Sequence, residues 1–153
     1  MKAKTIAFTI SLVFVATVMG FADSPHMGTW KLNEAKSKLA GKARNHTVVY
    51  EAAGDQIKIT VDGVDDSGNP VHSEWTGKFD SKDYPVTGDA NADTRSYTQL
   101  NSRTLVLKNK KNGKVALTGR IVISRDGKSR TVTTTATNAQ GKKVTNVALY
   151  DKQ

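Results

Sequence analysis

Residues that commonly carry chemistry are few in this sequence. It has no cysteine among its 153 residues, which excludes disulfides, thiolate metal sites and thiol nucleophiles. The histidines are His26, His46 and His72, and none stands at a metal-pair spacing from another. His72 and Glu74 share a face of a predicted strand, but exposed neighbours of this kind are more often surface residues than acid–base partners. With no Gly-x-Ser-x-Gly nucleophile motif and no glycine-rich phosphate loop, we expect a protein that is not an enzyme and uses no cofactor.

One turn carries an alternating set of oxygen ligands. Asp89, Asn91 and Asp93 repeat at every second position, as at the start of a calcium-binding loop. An EF-hand also needs glycine at its sixth position and glutamate at its twelfth, and Thr94 and Leu100 stand there instead. A polar turn between two strands explains these residues more simply, so we predict no metal site.

The start of the chain resembles an export signal. Two lysines precede an apolar run from Thr5 to Met19, and Gly20-Phe21-Ala22 supplies the small residues that a signal peptidase requires. The alternative, a membrane anchor, is less favoured because a spanning helix needs about 20 apolar residues. We therefore predict a signal peptide at 1–22, a single domain at 23–153 that does not span the membrane, and a periplasmic or secreted bacterial location.

Charge is divided unevenly along the chain. Residues 23–100 carry 9 basic and 12 acidic side chains, whereas residues 101–153 carry 12 basic and 2 acidic ones. This division favours a positive face that docks on an anionic envelope surface, although lysine-rich turns also keep strand edges from pairing with other chains. Nucleic acid is not an expected partner, because the basic half has a single aromatic residue, Tyr150, for stacking bases.

Short segments rich in valine, isoleucine, threonine and aromatic residues alternate with Gly, Asn and Asp signals. Asn-Gly and Asp-Gly favour tight hairpins because both central residues accept a positive φ. Such a chain removes its sheet edges by closing into a barrel or stacking as a sandwich, and tight hairpins favour up-and-down neighbours. One short helical turn is predicted at Glu34–Lys38, with Asn33 as its N-cap. The predicted strands are Gly28–Leu32, Asn45–Ala52, Gln56–Val61, Pro70–Phe79, Asp83–Thr87, Thr94–Leu100, Thr104–Asn109, Lys114–Ser124, Arg130–Thr137 and Val144–Tyr150.

Alternation along these strands indicates a partly polar interior. Arg95 and Tyr97 share one face of their strand. Polar groups facing inward are costly in a solid core but suit a cavity that holds a polar ligand head. Tyr50 is a further cavity candidate. The alternative is a barrel filled by its own side chains. We predict that the ligand-binding residues are Trp75, Arg95, Tyr97 and Tyr150.

Three short segments resemble the superfamily of lipocalins and fatty-acid-binding proteins. They are the opening Gly-Thr-Trp-Lys-Leu-Asn at 28–33, the segment Lys-Asp-Tyr-Pro-Val-Thr-Gly at 82–88, and the ending Val-Ala-Leu-Tyr-Asp-Lys at 147–152. The closest resemblance is to small exported bacterial lipocalin-like proteins. It implies an all-β, antiparallel up-and-down barrel of about eight to ten strands. In fatty-acid-binding proteins, an Arg two residues before the last Tyr helps to bind a carboxylate. Ala148 stands at that position in this sequence, so the resemblance does not imply this carboxylate site.

The sequence therefore predicts an exported, monomeric binding protein. Its expected partner is a small apolar or amphipathic molecule held in the barrel interior. The alternative is an envelope interaction protein that docks on anionic surfaces through its basic C-terminal half.

Overall fold

Ten antiparallel strands close into one barrel in the computed structural model, which describes residues 23–153. Each strand pairs with its neighbour in the chain, and the first pairs with the last, so the predicted up-and-down barrel is confirmed. The predicted signal peptide at 1–22 lies outside the described residues. The strands are β1 (Gly28–Leu32), β2 (Arg44–Ala53), β3 (Gln56–Val64), β4 (Pro70–Gly77), β5 (Tyr84–Thr87), β6 (Thr94–Asn101), β7 (Thr104–Lys111), β8 (Lys114–Ile123), β9 (Ser129–Thr137) and β10 (Lys143–Lys152).

Tight turns join most of these strands, as the Asn-Gly and Asp-Gly signals predict. The β7–β8 hairpin turns at Asn112 and Gly113, whose φ angles are 49° and 75°. Two consecutive positive φ values match the right-handed twist of the flanking strands. The direct connections therefore follow from local turn chemistry.

A strap follows β1 and pairs with the edge of β10 beyond the β1–β10 ladder. It contains a 3-10 turn at Glu34–Lys36, shorter than the helical turn that the sequence predicts, and the Asn33 side chain accepts a hydrogen bond from the Lys36 N–H. Lys38 and Val147 then exchange two backbone hydrogen bonds of 2.7 and 2.8 Å. Within residues 23–153, no helix is long and apolar enough to cross a bilayer.

One end of the barrel is filled by fully buried side chains. The segment that precedes β1 folds under this end, where the Trp30 Nε1–H donates to the His26 carbonyl oxygen at 2.9 Å. We call this the closed end. Burial of its large apolar groups removes them from water and stabilises the barrel. The closed-end residues with relative exposure of 2% or less include His26, Trp30, Ile57, Trp75, Leu105 and Ile123.

An irregularity in the β7–β8 pairing corrects one predicted face. Alternation along β8 places Val115 on the same side as Leu117, Ile121 and Ile123. The register shifts at the Asn109–Lys110 step, and an extra residue in a ladder reverses which side chains face the core. Val115 is consequently 53% exposed, and its neighbour Ala116 faces the interior.

A second irregularity, in the β2–β3 pairing between Asn45 and Thr47, shapes the opposite end. It brings the Arg44 backbone against Gly63, where an added Cβ would collide with the Arg44 carbonyl oxygen.

We expect Gly63→Ala to lower the free energy of unfolding by about 2 kcal/mol, the usual cost of overpacking. Urea denaturation measures this change. Thr118→Ala on the exposed outer face of β8 is the control and should stay within about 0.5 kcal/mol; equal effects of the two substitutions would contradict the close approach.

Candidate functional site

A cavity of about 720 Å³ occupies the barrel interior. Its volume lies within the range of small-molecule sites. Exposed residues, among them Asp66, Ala90 and Asn91, also border it, so it reaches solvent at the end opposite the closed end. We call this opening the mouth. The apolar part of the wall includes Val48, Val61, Leu107, Ile121, Val132 and Ala148.

Arg130, near the start of β9, lies at the inner end of the cavity. It is 2% exposed and borders the cavity. Its guanidinium carbon lies over three rings, 4.9 Å from each centroid, which is within the distance of a favourable cation–π contact. The three rings are those of Trp30, Tyr50 and Tyr150.

The Arg130 charge has no counter-ion in the part of the chain that the structure describes. No carboxylate oxygen of the described residues lies within 4.0 Å of a guanidinium nitrogen of Arg130. Its Nε and Nη1 atoms are buried, and neither has a hydrogen-bond partner among the described residues. Since an arginine side chain stays protonated in proteins, the inner end of the cavity carries a full positive charge.

A second arginine lies on the cavity wall but is paired. Arg95 Nε donates to Asn109 Oδ1 at 2.7 Å, and its Nη2 donates to Asp89 Oδ2 at 3.2 Å. Asp89 belongs to the connection between β5 and β6 and borders the mouth. The ion pair therefore ties this connection to the inner wall, and Arg95 is less available to a ligand than Arg130.

Tyrosine hydroxyls supply further polar groups at the inner end. Burial raises the pKa of Tyr150 to about 12, and it also raises the pKa of Tyr97 well above its usual value. Tyr50 adds to both shifts, whereas Arg130 opposes them in both residues. Both phenols remain protonated at neutral pH, so each offers a hydrogen-bond donor to the cavity that both residues line.

Three of the four predicted ligand-binding residues lie together on the cavity wall: Arg95, Tyr97 and Tyr150. Trp75 does not line the cavity. Its ring packs edge-on against Tyr97, 4.8 Å between centroids, and its Nε1–H donates to the Arg95 carbonyl oxygen at 2.9 Å. Gly77, two residues along β4, leaves room for the indole. Trp75 therefore positions two wall residues from the core.

Arg130 and His26 are not among the residues that the sequence predicts for the site. Along β9, Arg130 and Val132 face the interior, but threonines occupy both faces of this strand, so alternation alone does not orient it. The orientation of β9 follows from its pairing with β10, in which Arg130 lies opposite Tyr150. His26 lies in a loop before β1, and only packing between distant segments, including the contact with Phe79 at 6.2 Å between ring centroids, buries it.

The carboxylates of the calcium-like turn and the His72 side chain pair with neighbouring charged groups. The Asp89 carboxylate pairs with Arg95, while the Asp93 carboxylate pairs with Lys111 at 2.8 Å. His72 Nδ1 lies 2.6 Å from Asp62 Oδ1, and this pair is more than half exposed. The exposed pairs among these contribute little to stability.

Comparison with solved structures gives a likeness in fold. No protein-family model matches the chain, and no curated protein matches it significantly. A redesigned β-barrel, mFAP1, solved bound to DFHBI, is 16% identical over 84% of this chain and 95% of that one, with a TM-score of 0.44. The resemblance to exported bacterial lipocalin-like proteins stays a prediction.

Proposed function

We propose that this protein is an exported, non-enzymatic carrier of a small amphipathic molecule held in the barrel interior. The observation that carries the proposal is a cavity of about 720 Å³ whose wall is mostly apolar, with polar side chains at the mouth and at the inner end. A side-chain-filled barrel of this size would have no such space. Mostly apolar walls with a few placed polar groups are typical of small-molecule sites.

The two parts of the wall suit the two parts of an amphipathic ligand. Leu107, Ile121 and Val132 border the apolar portion, where removal of a ligand's hydrocarbon from water drives binding. Tyr97 and Tyr150 present hydroxyl donors at the inner end. Such donors fix the orientation of a polar group and add specificity.

Neighbouring residues of β8 provide a matched test of interior binding. Ala116 lines the cavity, whereas Val115 is 53% exposed on the outside. N-phenyl-1-naphthylamine, a neutral dye that fluoresces in apolar surroundings, should bind the wild-type protein. Ala116→Phe should weaken its binding about tenfold because the added ring occupies cavity space, corresponding to roughly 1.4 kcal/mol.

Val115→Phe is the control for this experiment. It adds the same ring outside the cavity, and the dye affinity should stay within about twofold of the wild-type value. The proposal fails if the wild-type protein does not bind the dye. It also fails if the two substitutions change the affinity equally, since the dye would then be bound on the outside.

Docking on an anionic envelope surface stays a prediction. The densest basic stretch, 108–114, is partly neutralised: Lys110 pairs with Asp83 at 2.6 Å and Lys111 with Asp93 at 2.8 Å. The positive charge that remains there is smaller than the sequence indicates. The cavity therefore supports interior binding more directly than the charge supports docking.

A further inference from the structure

We infer that the ligand is an amphipathic anion whose carboxylate or similar head group pairs with Arg130 at the inner end of the cavity. This inference rests on the proposed function and specifies the chemical class of the ligand. Arg130 is 2% exposed, borders the cavity, and has two guanidinium nitrogens without a hydrogen-bond partner among residues 23–153.

A buried charge without a counter-ion is costly for a protein. Moving a charged group out of water costs several kcal/mol unless an opposite charge or hydrogen bonds replace the lost hydration. The three rings around Arg130 offset part of this cost through cation–π contacts. An anion in the part of the cavity that Arg130 borders would supply the missing opposite charge, and the weakly hydrated guanidinium of arginine suits buried ion pairs with carboxylates.

The positive charges at the closed end favour an anion. The Lys152 ammonium lies 5.2 Å from the Trp30 ring, on the same closed end. Arg95 lies farther along the wall and keeps its own partner, Asp89. The Tyr97 and Tyr150 hydroxyls are protonated, so each can donate a hydrogen bond to an anionic head group.

The orientation of the ligand follows from this arrangement. The anionic head would lie at the closed end beside Arg130, and the apolar part would extend along Leu107, Ile121 and Val132 toward the mouth. A ligand with a positive head group would place like charges together in a low-dielectric interior, where repulsion is strong. The site should therefore discriminate by charge as well as by hydrophobicity.

Decanoate, decanol and decylamine test this inference because they share one hydrocarbon chain and differ in head group. Each competes with N-phenyl-1-naphthylamine at pH 7.5. A charge-assisted hydrogen bond contributes more than a neutral one, so decanoate should displace the dye at about tenfold lower concentration than decanol. Decylamine should be the weakest competitor.

Arg130→Met keeps an unbranched, flexible side chain and removes the guanidinium group with its charge. It should bring the decanoate and decanol affinities to within about twofold of each other, while dye binding persists. Arg120→Met, on the exposed outer face of β8, is the matched control and should leave the preference for decanoate unchanged. If Arg130→Met does not fold by circular dichroism, Arg130→Lys should still weaken decanoate binding several-fold and spare decanol, because the strongly hydrated lysine ammonium suits a buried ion pair less well than a guanidinium does.

The outcomes separate this inference from the proposed function. Equal displacement by decanoate and decanol in the wild-type protein would overturn the anion assignment but leave interior binding intact. A folded Arg130 variant that retains the preference for decanoate would also overturn the anion assignment alone. Failure of the wild-type protein to bind the neutral dye would overturn both.

Discussion

Trp30→Ala is expected to lower the free energy of unfolding by about 4 kcal/mol, as removal of a buried tryptophan usually does. Trp30 is fully buried at the closed end. The substitution would leave a cavity beneath Arg130, which packs over the indole at 4.9 Å. It would also leave the His26 carbonyl oxygen without its Nε1–H donor, and an unpaired buried acceptor adds to the loss. Urea denaturation followed by far-UV circular dichroism measures the change.

Trp30→Phe separates the two contributions. It retains an aromatic ring beneath Arg130 but removes the indole N–H, so we expect a smaller loss of about 2 kcal/mol. Val115→Ala, at an exposed site, should change stability by less than about 0.5 kcal/mol. A loss below about 1 kcal/mol for Trp30→Ala would contradict the closed end as described.

Mild acid is expected to destabilise the barrel through His26. Burial, followed by the positive charges of Arg130 and Lys152, lowers the pKa of His26 from 6.5 to about 4. Between these values the unfolded chain binds a proton that the folded protein does not, so stability falls as the pH is lowered from 6.5 to 4. The loss amounts to about 3 kcal/mol, because each unit of pKa difference corresponds to roughly 1.4 kcal/mol.

Urea titrations at a series of pH values measure this effect, and two variants assign it. His26→Leu removes the titrating group, so the fall between pH 6.5 and 4 should disappear. His72→Gln should retain it, because hydrogen bonds to Asp62 and Glu74 raise the pKa of the exposed His72. The small contribution of His72 to stability is lost as the pH rises through its raised pKa, whereas the contribution of His26 is lost as the pH falls. A full acid-induced loss in His26→Leu would contradict the assignment.

The surface carboxylates act in a different range. Hydrogen bonds to Asp66 from the backbone N–H groups of Ala43 and Lys42 lower its pKa below 3.8. A lysine partner, Lys78, does the same for Asp55. Each such carboxylate stabilises the folded protein at a pH above the pKa that it has in the unfolded chain. This stabilisation is lost as the pH falls through the lower pKa that the carboxylate has in the folded protein. Their titration therefore lies mostly below the range assigned to His26.

Local signals in the sequence account for most of the barrel. Alternating β-branched residues and Asn-Gly or Asp-Gly turns predict ten strands, because strand pairing and hairpin geometry are set by nearby residues. Alternation along the strand assigns Val115 to the wrong face of β8. A register shift in the β7–β8 ladder depends on the partner strand and reverses the face that alternation assigns.

The candidate site is predictable in part for the same physical reason. Arg95 and Tyr97 share one strand face, so a short-range pattern places both on the cavity wall. The position of Arg130 on the cavity wall can be predicted only when the strand pairing is known, because threonines occupy both faces of β9. The structure places Trp75 in the core and not on the cavity wall, and the sequence could not show this because an inward-facing aromatic residue satisfies alternation equally in both. The structure decides between these by packing it against Tyr97.

Two-dimensional NMR of the isotopically labelled protein, titrated with N-phenyl-1-naphthylamine, tests the central claim most directly. If the interior holds the ligand, the largest chemical-shift changes should fall on cavity residues such as Leu107, Ile121, Val132 and Ala148. Changes confined to the exposed apolar residues Leu100, Val115 and Val122, with the cavity residues unchanged, would contradict it.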